Sequence, residues 1–311
     1  MRNSNRHISC QHFAACGRRG FTLIELLVVI AVIALLMGIL LPTLASARRT
    51  AQAAKELVGV KQLGTAYTLY AQDNKSALLP GYLRGSWARA DRRKFMVYDN
   101  PNNASEESRL TGSVIRPYPW RLMPYMNYAY PSVIVDKALL ATAQSASDGK
   151  KDGRAFHRVM ARHPSFGLNS TYVGGDAHRG AYYAPSLARW GAFYVTRLDQ
   201  VIFPSRLMVF ASSRGVLRDS GGQKVPGYHR LDGPWRATPT SNSVPAFVKW
   251  NAPSRFDADL PTTTYGHLDF RHDGKTVAVS FDTHAERLSL EQMGDMTRWA
   301  NKATDRDWHP R

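Results

Sequence analysis

Residues 21–44 read FTLIELLVVIAVIALLMGILLPTL, and across these 24 positions the only ionisable side chain is Glu25. As a helix rising about 1.5 Å per residue the run spans roughly 36 Å, enough to cross a hydrocarbon core of about 30 Å with some tilt. No other segment is comparable, so the chain reads as a single span followed by a hydrophilic remainder. Residues 45–311 are enough for one sizeable domain with its own core. An acid near a helix centre in a bilayer costs roughly 2.5–3.5 kcal/mol, so Glu25 needs a physical reason to be there.

A plain membrane anchor is one reading of the run. A secretory signal is another, because Ala45-Ser46-Ala47 offers an A-x-A-like site with cleavage after Ala47. An apolar region of about 7–15 residues is usual there, and this one is longer. A third reading comes from Gly20-Phe21-Thr22-Leu23-Ile24-Glu25-Leu26-Leu27-Val28, directly after Arg18-Arg19. This segment resembles the class III signal of type IV pilins and type II secretion pseudopilins, and the likeness extends from Arg18 to about Pro42. The resemblance implies cleavage between Gly20 and Phe21 by a prepilin peptidase, which also N-methylates Phe21. It gives Glu25 an assembly role, pairing in a filament with the new amine of a neighbouring Phe21. A paired buried carboxylate is tolerable where an unpaired one is not. The alternative is a protonated Glu25. Further implied partners are other pilin or pseudopilin subunits, the inner-membrane assembly machinery and the lipid bilayer. Helices would bundle through small and apolar residues, Gly38 among them.

Charge does not fix the orientation. Arg2, Arg6, Arg18 and Arg19 precede the run, and Arg48, Arg49, Lys55 and Lys61, with Glu56, follow it. The cytoplasmic N-terminus and a periplasmic or extracellular head, on a single-pass inner-membrane protein, follow from the resemblance. Cys10 and Cys16 both lie in the leader, so a chain starting at Phe21 has no cysteine. Their C-x5-C spacing is not that of a zinc site. Net charge is +17, and removing the four leader arginines leaves +13. The densest patch, Arg84 to Phe95, interleaves Trp87 and Phe95 with Arg89, Arg92, Arg93 and Lys94. DNA is therefore an alternative partner, although a charge run is more often a solvated face.

The expected architecture is α+β and pilin-like. It has a cleaved leader (1–20), a membrane half of the N-terminal helix (21–44), an amphipathic second half (45–75) and an exported head (76–311). The helix should pass Pro42 with a kink and end near Asp73-Ser76, before the Pro80-Gly81 turn. Ala47, Ala51, Ala54, Leu57, Val60, Gly64, Tyr67 and Ala71 form its apolar face, with Glu56 and its basic neighbours off it. Val60 to Lys75, followed by Leu79-Pro80-Gly81, resembles a subfamily of prepilin-type proteins ending in an H-x9-D-G motif. Here His272 and Asp282 have that spacing, and Thr283 stands where glycine is expected, which weakens the inference that this turn needs a positive φ. Phe166-Gly167-Leu168-Asn169-Ser170 resembles a recurrent element of the same group.

From the residues alone, Asp273-Gly274 opens a hairpin, and Val277, Val279 and Phe281 alternate as a half-buried strand. Ala285 to Leu290 follows as a strand. Ser289 to Gln292 then resembles a capping box for a short helix containing Met293, Met296 and Trp299. Residues 201–203 and 207–210 read as two more strands, and residues 84–165 and 214–262 as loop-rich insertions decorating the head.

Chemistry is sparse. The hairpin offers His272, Asp282 and His284 as metal ligands, but a structural role for His272 and Asp282 is preferred because no second ligand cluster exists. Asp257, Asp259 and Asp269 are weak calcium candidates. H-E-x-x-H and G-x-S-x-G are absent, and Gly274-Lys275-Thr276 lacks the first glycine of a phosphate loop, since Asp269 stands there. The expectation is a structural subunit with no catalytic residue, metal or cofactor. An exported binding or catalytic protein cut after Ala47 is the alternative from another class.

Overall fold

The computed structural model describes residues 21–85, 97–98, 109–128, 139, 154–217, 222–238 and 244–311. The leader with Cys10, Cys16 and Gly20, and most of the basic–aromatic stretch (86–96), lie outside the described residues. Two compact units are present, Met1–Thr50 and Ala51–Arg311.

Helix α1 (Leu23–Asp73) contributes to both. In the first unit every residue from Phe21 to Thr50 is exposed, including Leu23, Leu35 and Leu41. That apolar length and composition suffice to cross a membrane. α1 continues unbroken through Pro42, which has no N–H to give to the Gly38 carbonyl. Next to it, Thr43 Oγ1 donates to the Leu40 carbonyl at 2.8 Å. At the far end, Lys75 and Ser76 take left-handed φ values of 56° and 65°. The Ser76 amide there donates to the Ala71 carbonyl at 2.8 Å, closing the helix without glycine.

The second unit is an α+β head of pilin-like kind. Its strands are β1 (Val97–Tyr98), β2 (Arg109–Leu110), β3 (Phe166–Leu168), β4 (Met208–Ser212), β5 (Arg214–Val216), β6 (Lys224–Pro226), β7 (Trp235–Ala237), β8 (Phe247–Lys249), β9 (Lys275–Ser280) and β10 (Ala285–Ser289). Among the described residues one four-stranded sheet, ordered β10-β9-β4-β3 and antiparallel throughout, forms the centre. The pairs β1–β2, β5–β6 and β7–β8 are separate antiparallel ribbons. Short helices α2 (Pro119–Leu122), α3 (Arg154–Arg162), α4 (Ala184–Trp190) and α5 (Leu290–Met293) surround them.

The sheet is covered on both faces. Val277 and Val279 of β9, with Phe281 and Phe210, pack with Val60, Leu63 and Tyr67 of α1. The Tyr67 ring meets Phe210 and Phe281 edge-on, at centroid distances of 5.6 and 6.1 Å. Gly64 permits this approach, because a Cβ there would lie 3.0 Å from Val279 Cγ2. On the other face Ala278 joins Leu231, Tyr265, Leu268, Phe270 and Trp299 in a second core. Fully burying a side chain such as Leu63 contributes about 1.5–3 kcal/mol, so each layer adds substantially to stability. Asn169 pins the layers together, donating from Nδ2 to the carbonyls of Met208 (3.0 Å) and Trp299 (2.8 Å).

Several expectations need correction. β9 is buried on both faces from Thr276 to Ser280, because the second core covers the side expected to meet solvent. The buried face of α1 runs through Ala53, Val60, Leu63, Tyr67 and Tyr70, whereas Ala51 and Ala54 are exposed. Glu56 is only 23% exposed and faces the sheet. Residues 201–203 form no strand. Ile202 and Phe203 are exposed, and the Arg206 and Leu207 amides both bond the Phe203 carbonyl in a turn. The segments taken as decoration reach the core. Tyr118 and Trp120 are buried, and the Tyr118 hydroxyl donates to the Phe166 carbonyl at 2.6 Å. Residues 214–262 carry the β5–β6 and β7–β8 ribbons. The Ser289–Gln292 capping box is present, but α5 ends at Met293 and a separate 3₁₀ turn spans Met296–Arg298.

Candidate functional site

The candidate assembly segment is the start of α1. Thr22 is its N-cap and Glu25 its third helical residue. The Thr22 amide and hydroxyl both donate to Glu25 Oε2 at 2.8 Å, and the Glu25 amide donates back to Thr22 Oγ1 at 3.2 Å. This reciprocal capping box satisfies two orphan donors of the first turn and places an acid at the positive end of the helix dipole. The T-x-x-E spacing of Thr22 and Glu25 is a local capping signature, the one sequence signal that announces this bond. All three bonds engage Thr22 Oγ1 or Glu25 Oε2, so Glu25 Oε1 is open to a partner outside the chain. Phe21, just before the cap, is 71% exposed.

The C-terminal motif is split. His272 and Asp282 flank opposite ends of β9, whose six residues span about 20 Å. The hairpin therefore does not bring His272, Asp282 and His284 to one point. Asp273 and Gly274, at φ 52° and 73°, form the turn between His272 and Lys275, which exchange backbone hydrogen bonds at 3.2 and 3.0 Å. At the other end Asp282 Oδ1 accepts the His284 amide at 2.9 Å, and the Thr283 amide donates to the Ser280 carbonyl at 3.0 Å. Thr283 has φ 69°, so this turn does take a left-handed residue although threonine stands where glycine is expected. Among the described residues no group of three or more His, Cys, Asp or Glu is placed to hold a metal ion. Around the weak calcium candidates, Lys224 Nζ donates to the carbonyls of Ala258 (2.9 Å) and Asp259 (2.5 Å), which puts a cation of the protein's own beside Asp257 and Asp259.

A buried ionic network in the head escaped the sequence reading. Arg179 Nη2 lies 2.5 Å from Asp232 Oδ2, and Arg230 Nη1 lies 3.3 Å from Asp176 Oδ2. Burial alone would raise the Asp232 carboxyl, but Arg179 and Arg230 bring it below the usual carboxylate range. Burial also pushes His267 down to about 4, although Asp232 pulls it the other way. Burial likewise drives His229 well below its ordinary value, with Arg230 adding to the effect. These groups are scattered over residues 176–267, and no local spacing announces them.

Residues 16–41 match the family model described as the prokaryotic N-terminal methylation motif. The matched segment contains Gly20, Phe21, Thr22 and Glu25 and stops short of the head. No curated protein matches the chain, and neither does any solved structure.

Proposed function

We propose that this chain is a structural subunit of a type IV pilus or a type II secretion pseudopilus. A prepilin peptidase trims it after Gly20 and methylates Phe21. The match of residues 16–41 to the N-terminal methylation motif carries this reading. The wholly exposed apolar stretch from Phe21 to Leu44 supports it, since such a surface needs lipid or other helices around it. The subunit sits in the inner membrane by one helix, N-terminus inside and head exported. Its work is assembly. Glu25 keeps its Oε2 on Thr22 and offers Oε1 to the Phe21 amine of a neighbour, which favours lateral association and sets axial stagger. The unbroken helix through Ala45-Ser46-Ala47 speaks against cleavage there.

Glu25→Gln tests the assembly role. The variant is expected to be cleaved and methylated as the parent is, yet to be depleted from sheared or cross-linked filaments at least tenfold, a coupling of about 1.4 kcal/mol. Parent-level incorporation would refute the role of the carboxylate. Gly20→Leu is expected to leave the leader attached.

A further inference from the structure

The buried stripe of α1 steps through Ala53, Val60, Leu63, Tyr67 and Tyr70, and Glu56 fills the position between Ala53 and Val60. One acid therefore stands in an otherwise apolar seam. Three side chains from two strand ends meet it. Ser212 Oγ, at the end of β4, donates to Glu56 Oε2 at 2.9 Å. His272 Nε2 lies 3.0 Å from the same oxygen, at charge-contact distance but without hydrogen-bond alignment. Arg271 Nε lies 3.5 Å from Glu56 Oε1 and 3.5 Å from Asp269 Oδ2.

Such a cluster is a poor stabiliser, because desolvating its charges offsets most of the attraction, and an apolar residue would often do as well. Its distinctive property is that it tolerates one alignment only. The α1 residues three and four positions from Glu56 are Gln52, Ala53, Gly59 and Val60, and none is acidic. Sliding α1 by one turn would leave Ser212, Arg271 and His272 facing an amide, an aliphatic group or a bare glycine. Further along the seam the close approach at Gly64 and the buried Tyr67 hydroxyl, which donates to the Leu79 carbonyl at 3.1 Å, constrain α1 as well, but Glu56 is the seam's one charged contact.

We infer that Glu56 and the socket formed by Ser212, Arg271 and His272 are a register lock that fixes the rotation and axial position of α1 on the sheet. In that register Val58, Lys61, Thr65 and Leu69 stay on the open side of the helix, where Tyr125 and Met126 complete a shallow groove with them. His272 is thus a positioning residue.

The test uses the full chain in detergent micelles, with Cys10 and Cys16 changed to serine. Spin labels are placed at Val58 and Arg287, both exposed. The parent is expected to give one narrow label-to-label distance distribution. Glu56→Met with His272→Leu should give a broadened or two-peaked distribution while its thermal midpoint stays within a few degrees of the parent's or rises. His272→Gln alone, which keeps a donor at the socket, should retain the narrow distribution, and broadening by this single change would count against the socket as described. If the double variant does not fold, Glu56→Leu with Ser212→Ala poses the same question. A single narrow distribution at the parent distance in the folded apolar variant would overturn the lock.

Discussion

Thr283 stores strain that one substitution should release. Its φ of 69° is in the left-handed region, where a β-branched side chain crowds its own backbone. The backbone has little freedom to escape. The Thr283 amide bonds Ser280, the His284 carbonyl accepts from the Ser280 amide at 2.9 Å, and Asp282 Oδ1 holds the His284 amide. A non-glycine residue in that region costs about 1–2 kcal/mol. Glycine removes this but loses about 0.5–1 kcal/mol to greater freedom of the unfolded chain. Thr283→Gly should therefore stabilise the head by a net ~0.5–1 kcal/mol, raising its midpoint by about 1–4 °C for a body of this size. Thr283→Ala keeps the Cβ and should gain less than half as much. Both can be followed by urea unfolding in micelles with tryptophan fluorescence as the probe. If glycine and alanine behave alike, or glycine destabilises, the strain argument is wrong.

Two further outcomes follow from the packing and the buried charges. Gly64→Leu drives a side chain into Val279, already 3.0 Å from a bare Cβ, and should cost about 1–3 kcal/mol by urea titration; a neutral result would mean α1 can lift off the sheet without penalty. Stability should fall as pH drops from about 6.5 towards 4, because His267 and His229 are held neutral in the fold and charge on unfolding. Each such histidine contributes stability that is present above its unfolded value and lost at about 1.4 kcal/mol per pH unit on the way down. Asp232, whose folded value is depressed, adds to the loss at lower pH, whereas Asp269, raised by burial, works in the opposite direction. Unfolding midpoints compared at pH 7 and pH 5 decide this, and equal midpoints would show that the histidines are not sealed in.

The parts of the fold that local physics determines were legible in the sequence. Residues 21–44 could be little but a long apolar helix. Asp273-Gly274 announced its turn, and Ser289 to Gln292 its cap. What could not be read depends on which distant segment covers which face. β9 looked half-exposed because nothing in Val277, Val279 and Phe281 reveals Trp299 and Tyr265 lying across the other side. Glu56 looked like one more solvated charge on a basic helix until Ser212 and His272, remote in sequence, closed around it. The Asp176–Arg230 and Arg179–Asp232 pairs join segments more than 50 residues apart, beyond any spacing rule. At the candidate site the acid itself was legible, and its bond to Thr22 is local enough to be carried by the T-x-x-E spacing.

The intact mass of the chain recovered from membranes of its native host tests the central proposal most directly. Removal of the leader after Gly20 predicts a polypeptide that begins at Phe21 and carries one added methyl group on its N-terminal amine. A chain beginning at Arg48, or one still bearing Met1 to Gly20, would contradict it.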